Sequence, residues 1–336
     1  MRRLLALLLA VGVFAACGGN DEPATTSTPS ASATEDAFPV TIEHKYGTTT
    51  IESAPERVVS VGYSEQDAIL ALGVVPVGIR DWFGEQPQAT WPWAHDLLDG
   101  AEPEVLSTTE ISFEAVAALE PDLILGVTSG MTETEYDRLS QIAPTITQSG
   151  DFPDYGMPWR DAMLMIGDAL GKRDDAQSMI DEIDAEYAAI RAEHPEFEGA
   201  TATMSYVLDE TQIGAYGPTD IRSQLLTDLG FVIPQEIVDA AGDQFWSGFS
   251  YEQIGMLDHD VLVWINGEDE INEQIKAHPL RQDLVAFAEG REVFPTELES
   301  AAASFSSVLS LPALLDTLVP KLAAAVDGDP ATEVPA

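Results

Sequence analysis

Met157-PWRDAMLMIGDALGKRDDAQSMIDEIDAEYAAIRAEH-Pro195 is the stretch on which the reading of this chain turns. Trp159, Met163, Ile166 and Leu170 fall three or four apart, as one apolar helix face requires. Pro158 suits a first helical position, where its missing N–H costs nothing. Gly171 interrupts the run, and Ala176, Ile180, Ile183, Tyr187 and Ile190 resume it, with Asp174 and Asp175 at the positive end of the second helix. His194-Pro195 stops it. A helix over 172–193 reaches roughly 30 Å, enough to cross a small domain. It reads as a rigid spine between two similar halves, although a long surface helix of a single domain shows the same pattern.

A related motif occurs on each side of that spine. Ser112-FEAVAALEPDLI-Leu125 lies over Ser250-YEQIGMLDHDVL-Val263, with serine, Glu114/Glu252, Asp122/Asp260 and every apolar position between them in register. Leu72-Gly73-Val74 is echoed by Leu229-Gly230-Phe231. Ser followed by acid favours a helix start wherever it occurs, so common α/β grammar accounts for part of this likeness.

Before the spine, Val40 to Ile51 reads as a hairpin, RVVSVG as a strand, and Ser64 as the cap of a helix ending at Gly73. VVPVGIR is the next strand, and a loop over 81–104 carries Trp82, Phe83, Trp91 and Trp93. A helix over 112–119, a strand over 122–126, a helix over 132–141 and a strand over 145–147 follow. After the spine come TATMSYVL as strand, DIRSQLLTDLG and SYEQIGML as helices, DVLVWIN and REVFP as strands, and an apolar helix over 305–326. Strands alternating with helices predict mainly parallel sheets flanked by helices in both halves. The expected architecture is α/β: two three-layer lobes, at 38–156 and 196–327, joined by a helical linker at 157–195 that contains the long backbone helix. The last residues, 328–336, should fray.

The totals exclude several classes. The 336 residues are 45% hydrophobic, ample for a core, and carry a net charge of −43, which argues against nucleic acid and anionic lipid as partners. Arg2-Arg3 before LLALLLAVGVFA form a secretory signal too short for an ordinary membrane span. Residues 1–17 end in Phe14-Ala-Ala-Cys17, which resembles a lipoprotein lipobox with Phe14 in place of the usual Leu or Val. The only cysteine is thus the candidate lipid anchor, and an intrachain disulfide is excluded. Residues 18–37, Ser-, Thr-, Pro- and acid-rich, read as a disordered tether with a reach of roughly 25 Å.

Catalytic signatures are mostly absent: no Gly-x-Ser-x-Gly elbow, no phosphate-binding Gly-rich loop with Lys, no paired cysteines. The histidines at 44, 95, 194, 259 and 278 show no helical pair spacing, so no metal site is assigned. What stands out is a set of aromatics and arginines at predicted strand edges. Tyr63 follows the first strand of the fold, Arg80 and Trp82 the second, with Trp91 and Trp93 in the same loop. Tyr216 and Arg222 flank a helix start, and Phe245-Trp246 precedes the repeated motif. Open α/β sheets bind ligands beyond strand ends, and two such edges facing each other form a cleft. Arg offers a fork for anionic oxygens and the rings offer contact area. Trp91 and Trp93 fit equally well as plugs of the loop against the core, and Arg80 as a partner of an acid.

PERVVSVGYSEQDAILALGVVPVG, SFEAVAALEPDLIL, YGPTDIRSQLLTDLGFVIP, SYEQIGMLDHDVLVW and SFSSVLSLPALLDTLVPKL together resemble the ferric-siderophore-binding lipoproteins of bacterial ABC importers. The resemblance covers nearly everything from 38 to 326. It implies a class III periplasmic-binding-protein-like fold, a ferric siderophore held between the lobes, and small hinge motion. It implies one exposed glutamate per lobe, here Glu114 and Glu252, meeting arginines of a permease worked by its ATPase. A monomer lipid-anchored to the outer face of the cell membrane is expected, with no enzyme activity and no intrinsic cofactor. The siderophore wraps Fe(III) in its own hard oxygens, so the protein need offer no metal ligands, and Arg80 with Arg222 would make the cleft locally positive. Haem, cobalamin or another chelate fits the same fold. A secreted α/β hydrolase would need a converging nucleophile, base and oxyanion site.

Overall fold

Why the two halves repeat is visible in their sheets. A computed structural model describes residues 37–266 and 268–335; the lipobox, Cys17 and almost all of the tether lie outside the described residues. The chain opens with an antiparallel hairpin, β1 (Val40–His44) and β2 (Gly47–Ile51). The first large sheet comprises β3 (Val58–Ser60), β4 (Gly78–Arg80), β5 (Glu104–Leu106), β6 (Leu123–Gly126) and β7 (Thr145–Thr147). Its order is β5-β4-β3-β6-β7, and all its pairs are parallel. The second comprises β8 (Ala202–Val207), β9 (Gln212–Tyr216), β10 (Trp246–Ser250), β11 (Val261–Trp264) and β12 (Glu292–Val293), ordered β10-β9-β8-β11-β12. Numbered within each lobe the order is identical, but β8-β9 and β9-β10 are antiparallel. Burial on both faces explains the short apolar runs: β3, β6 and β11 have no exposed residue.

The repeated motif does the same mechanical job twice. The carboxylate of Asp122 accepts the N–H groups of Glu56 and Arg57 at 2.8 and 2.9 Å, just before β3. Asp260 accepts the N–H and hydroxyl of Thr201 at 2.9 and 2.8 Å, just before β8. In each lobe the aspartate ahead of one central strand therefore pins the start of its parallel neighbour. The Leu-Gly echo also repeats in space. Gly73 and Gly230 have φ of +74° and +105°, and the residue after each donates to a carbonyl five back, at Ile69 and Leu226. Both are left-handed helix stops that glycine adopts without a Cβ penalty.

Between the sheets the chain runs through the helix Trp159–Ala169 and the backbone helix Arg173–Glu193. The backbone helix buries Ala176, Ile180, Ile183 and Tyr187, one face at helical spacing. Arg160 ties three helices: its Nε donates to Asp184 of the backbone helix at 2.7 Å, and its Nη1 to Asp228, the last residue of the helix Ile221–Asp228, at 2.8 Å. No helix among the described residues is long and apolar enough to cross a membrane.

Four local expectations change. Ser64 does not cap the helix Gln66–Ala71; Glu65 holds that position, and its carboxylate is spent elsewhere. Strands β9 and β10 are absent from the sequence reading. Gly214 lowers the strand signal of β9, yet a side chain there would overlap the Tyr206 ring and the Ser247 carbonyl. The closing apolar segment is two helices, Glu297–Phe305 and Ser310–Val326, broken at Ser306, whose φ is +42°. The tail also folds back. Thr332 donates from its N–H to the Asp329 carbonyl and from its hydroxyl to Asp327, and Val334 packs on the main core.

The corner between the closing helices reaches the first lobe. Ser307 donates its hydroxyl to Asp67 at 2.6 Å, and Trp93 donates Nε1 to the same carboxylate oxygen at 2.7 Å. Phe305 packs within 5.5 Å of both the Trp82 and Trp93 rings. The lobes are therefore joined twice, by the backbone helix and by this corner.

Candidate functional site

The strand order of the first sheet reverses at β3 and β6, so the loops leaving these two strands diverge and leave a crevice. One buried carboxylate holds both loops. Glu65 accepts from the Gly62 N–H at 2.7 Å and from the Thr128 N–H and hydroxyl at 2.8 and 3.1 Å. Thr128 Oγ1 in turn accepts the N–H groups of Tyr63 and Ser64 at 3.0 and 3.2 Å. Burial pushes the Glu65 carboxyl up from its ordinary value, and the donors from Thr128, Gly62 and Ser60 pull the other way. The network fixes the backbone from which Tyr63 projects.

A cavity of about 250 Å³, open to solvent, lies over this crevice and between the lobes. Tyr63, Trp82 and Tyr155 line it from the first lobe, and Ile221, Arg222 and Phe245 from the second. The rings form a continuous wall: Tyr63 to Trp82 at 5.5 Å, Tyr63 to Tyr155 at 6.2 Å, and Tyr155 to Phe245 across the lobes at 5.8 Å. Neutral polar groups of Ser64, Thr128, Gln148 and Ser304, together with Val127, Met157 and the Asp220 carboxylate, complete the lining.

The sequence-predicted residues divide into three groups. Tyr63, Trp82 and Arg222 line the cavity. Arg80 and Tyr216 stand directly behind it. Arg80 is 5% exposed, and its guanidinium lies 4.4 Å from the Tyr63 ring centre. It donates to the carbonyls of Val61 and Thr108 and to Tyr63 Oη, and no carboxylate pairs with it among the described residues. Tyr216 carries Arg222 on its ring face at 3.6 Å and accepts from it at 2.9 Å. Arg222 is neutralised: Nε and Nη2 each meet an Asp220 oxygen at 2.7 Å. Burial pulls the guanidinium down, but Asp220 holds it above its ordinary value. The expected positive cleft thus reduces to the one charge of Arg80, a layer behind the wall.

Trp91, Trp93 and Trp246 do not line the cavity. Trp91 is 4% exposed and stacks on Trp93 at 5.4 Å, both packed on Phe305; they plug the 81–104 loop against the core. Trp246 is 37% exposed and pairs with Tyr216 across the β9–β10 ladder. Its neighbour Phe245, in the bend just before β10, takes the cavity position.

Tyr155 was not singled out in the sequence, although it bridges the lobes. It is 43% exposed with φ of +64°, a left-handed conformation that a bulky residue rarely holds. A Cβ on Gly130 would overlap its ring, so the glycine makes the room. A tyrosine beside Gly156, between two prolines, was the available signal. Glu65 was hidden as one acid among 58 Asp and Glu residues.

Glu114 and Glu252 are both exposed, in the first turns of the helix Phe113–Ala118 and of the 3-10 segment Tyr251–Leu257. Ser112 Oγ accepts the Ala115 N–H at 3.3 Å, and the Ser250 N–H donates to Gln253 at 3.4 Å, so each turn is locally braced. Hydrogen bonding to Ser250 holds the Glu252 carboxyl below its ordinary value.

Residues 58–294 match the family model described as periplasmic binding protein. Over 270 residues the chain is 30% identical to the probable siderophore-binding lipoprotein YfiY of Bacillus subtilis (strain 168), covering 78% of this chain and 77% of that protein. The crystal structure of a periplasmic solute binding protein from Mycobacterium smegmatis superposes with a TM-score of 0.78 at 35% identity, covering 85% of this chain and 98% of the other. PiaA of Streptococcus pneumoniae TIGR4, in complex with ferrichrome, gives 0.75 at 26% identity, covering 86% and 99%.

Proposed function

The chain belongs to the periplasmic binding protein family, and on that premise we propose that it is the extracytoplasmic solute-binding component of an ABC importer, capturing a ferric siderophore between its lobes and passing it to the permease. The observation that carries this reading is the interlobe aromatic wall of Tyr63, Trp82, Tyr155 and Phe245. Such a wall grips a large preformed chelate by its shell. A siderophore brings its own oxygen donors to Fe(III). Among the described residues no group of three or more His, Cys, Asp or Glu could hold a metal ion. The protein's work is binding and release, without covalent chemistry or an intrinsic cofactor.

In this reading Cys17 carries the lipid that tethers a monomer to the outer face of the membrane. Glu114 and Glu252 offer one carboxylate per lobe to the arginines of a two-fold permease driven by its ATPase. Their exposed first-turn positions in a repeated motif support equivalent docking points.

Titrating tryptophan fluorescence with ferric chelates, haem and cobalamin tests the ligand assignment. A ferric siderophore should quench at micromolar concentration through Trp82, and haem or cobalamin binding alone would refute it. In cells, Glu114→Ala with Glu252→Ala should abolish uptake with ligand affinity unchanged. Lost affinity would make these residues structural instead.

A further inference from the structure

The charges around the cavity narrow the class of chelate. Among the described residues only Asp220 and Arg222 are charged in the lining, and they cancel through two contacts of 2.7 Å. Three of the five Arg222 N–H donors are already committed, so its charge is compensated in place. Its third donor goes to Tyr216, and drawing it away would leave Asp220, whose side chain is 1% exposed, as a buried unpaired carboxylate. The Asp220 carboxylate also accepts the Arg222 N–H at 2.9 Å at the start of the helix Ile221–Asp228, so the pair is locked to the backbone. Arg80 lies 4.4 Å from the Tyr63 ring centre and is not among the residues that line the cavity. Among the described residues no lysine lines the site, and the whole chain carries −43.

Fe(III) chelates differ sharply in charge. Three hydroxamates, each singly negative, neutralise the ion. Three catecholates, each doubly negative, leave a trianion, and citrate complexes are also anionic. A trianion entering this cavity would lose water and gain only the single charge of Arg80 beside the Tyr63 ring, inside a negative protein. A neutral complex pays no such penalty and meets ring faces suited to its apolar linkers.

Building on the siderophore reading above, we propose that the cavity selects neutral or singly positive ferric chelates of the tris-hydroxamate class and rejects tris-catecholate and citrate complexes. Asp220 is the residue that sets this selectivity, by keeping Arg222 neutralised.

The test is a titration of the intact protein with ferrichrome and ferrioxamine B against ferric enterobactin and ferric dicitrate. The hydroxamates should bind at least about 100-fold more tightly than either anionic complex, as expected when a buried charge lacks a partner. In Asp220→Asn, which keeps an equally good helix cap, that ratio should fall at least about tenfold, because Arg222 is released. Equal or tighter binding of an anionic complex by the unaltered protein overturns the selectivity and leaves the siderophore reading standing. An unchanged ratio in Asp220→Asn overturns the role of Asp220. If no ferric complex binds, both readings fall.

Discussion

Tyr155 and Trp246 show how a site is decided residue by residue. Tyr155 spans from Tyr63 to Phe245 in a left-handed conformation that only its surroundings impose. Tyr155→Ala should weaken ligand binding about tenfold, the worth of one well-packed ring, with the melting temperature nearly unchanged. Trp246→Ala should leave affinity within about twofold, a surface residue having little to lose. Equal losses in the two titrations would reverse the assignment of strand faces. Asp67 is the other residue with a measurable signature. Its carboxyl is buried at the corner joining the lobes, with Ser307 and Trp93 on one oxygen and no partner found for the other. Burial raises it from 3.8 to about 7, against the pull of those two donors. Between these values the native state keeps a proton that the unfolded chain gives up. Stability therefore falls as pH rises through that window, and the loss is complete above it. Asp67→Asn should remove this slope and raise the melting temperature at pH 8 by about 5 °C. Parallel melting-temperature profiles for the two proteins from pH 4 to 8 would show that Asp67 does not titrate this way.

Among the elements, the linker helices were legible and the second sheet was not. Ala176, Ile180, Ile183 and Tyr187 repeat at helical spacing, and the 21-residue helix buries those same side chains. Periodicity sustained over so many residues leaves little freedom in assignment. The β9–β10 hairpin has no such run. Its strands are five residues each, and Gly214 and Gly248 sit where alternating side chains would announce them. What stabilises them is cross-strand pairing with residues distant in sequence, such as Ser247 with Ala215. The linker's contacts with its neighbours were equally invisible. Arg160 reaches both Asp184 and Asp228, with its side chain about one-quarter exposed. Arg160→Ala should cost about 1–2 kcal/mol, screened as it is by water, and lower the melting temperature by about 2–6 °C. A calorimetric scan showing no change would mean that the three helices hold together by apolar packing alone.

For the molecule as a whole, two connections between lobes limit how far they can move. The hydrogen-bond ladder of the backbone helix resists sharp bending, and the Phe305–Leu309 corner is bound to Asp67 through Ser307 and to the tryptophan plug through Phe305. By contacts, the described residues belong to one compact unit. Small-angle scattering with and without ligand should therefore show a radius of gyration changed by less than about 1 Å, well short of a hinge closure of packed domains. A larger contraction would show that the corner releases on binding. The lobe-and-spine plan and the duplicated motif were readable because local patterns write them: helical periodicity, buried strand runs, and aspartates that pin a neighbouring strand. Tyr63, Trp82 and Arg222 were found for the same reason, standing at strand and helix ends. The sequence by itself determined these elements and their order. Only the tertiary structure decided that Asp220 silences Arg222, that Trp91 and Trp93 are core, that Phe245 replaces Trp246, and that Tyr155 closes the wall. Apart from the Asp220–Arg222 pair, whose partners are neighbours in sequence, those outcomes depend on which side chains meet from distant parts of the chain, and the free energy of such meetings is set by burial and geometry that no local pattern encodes.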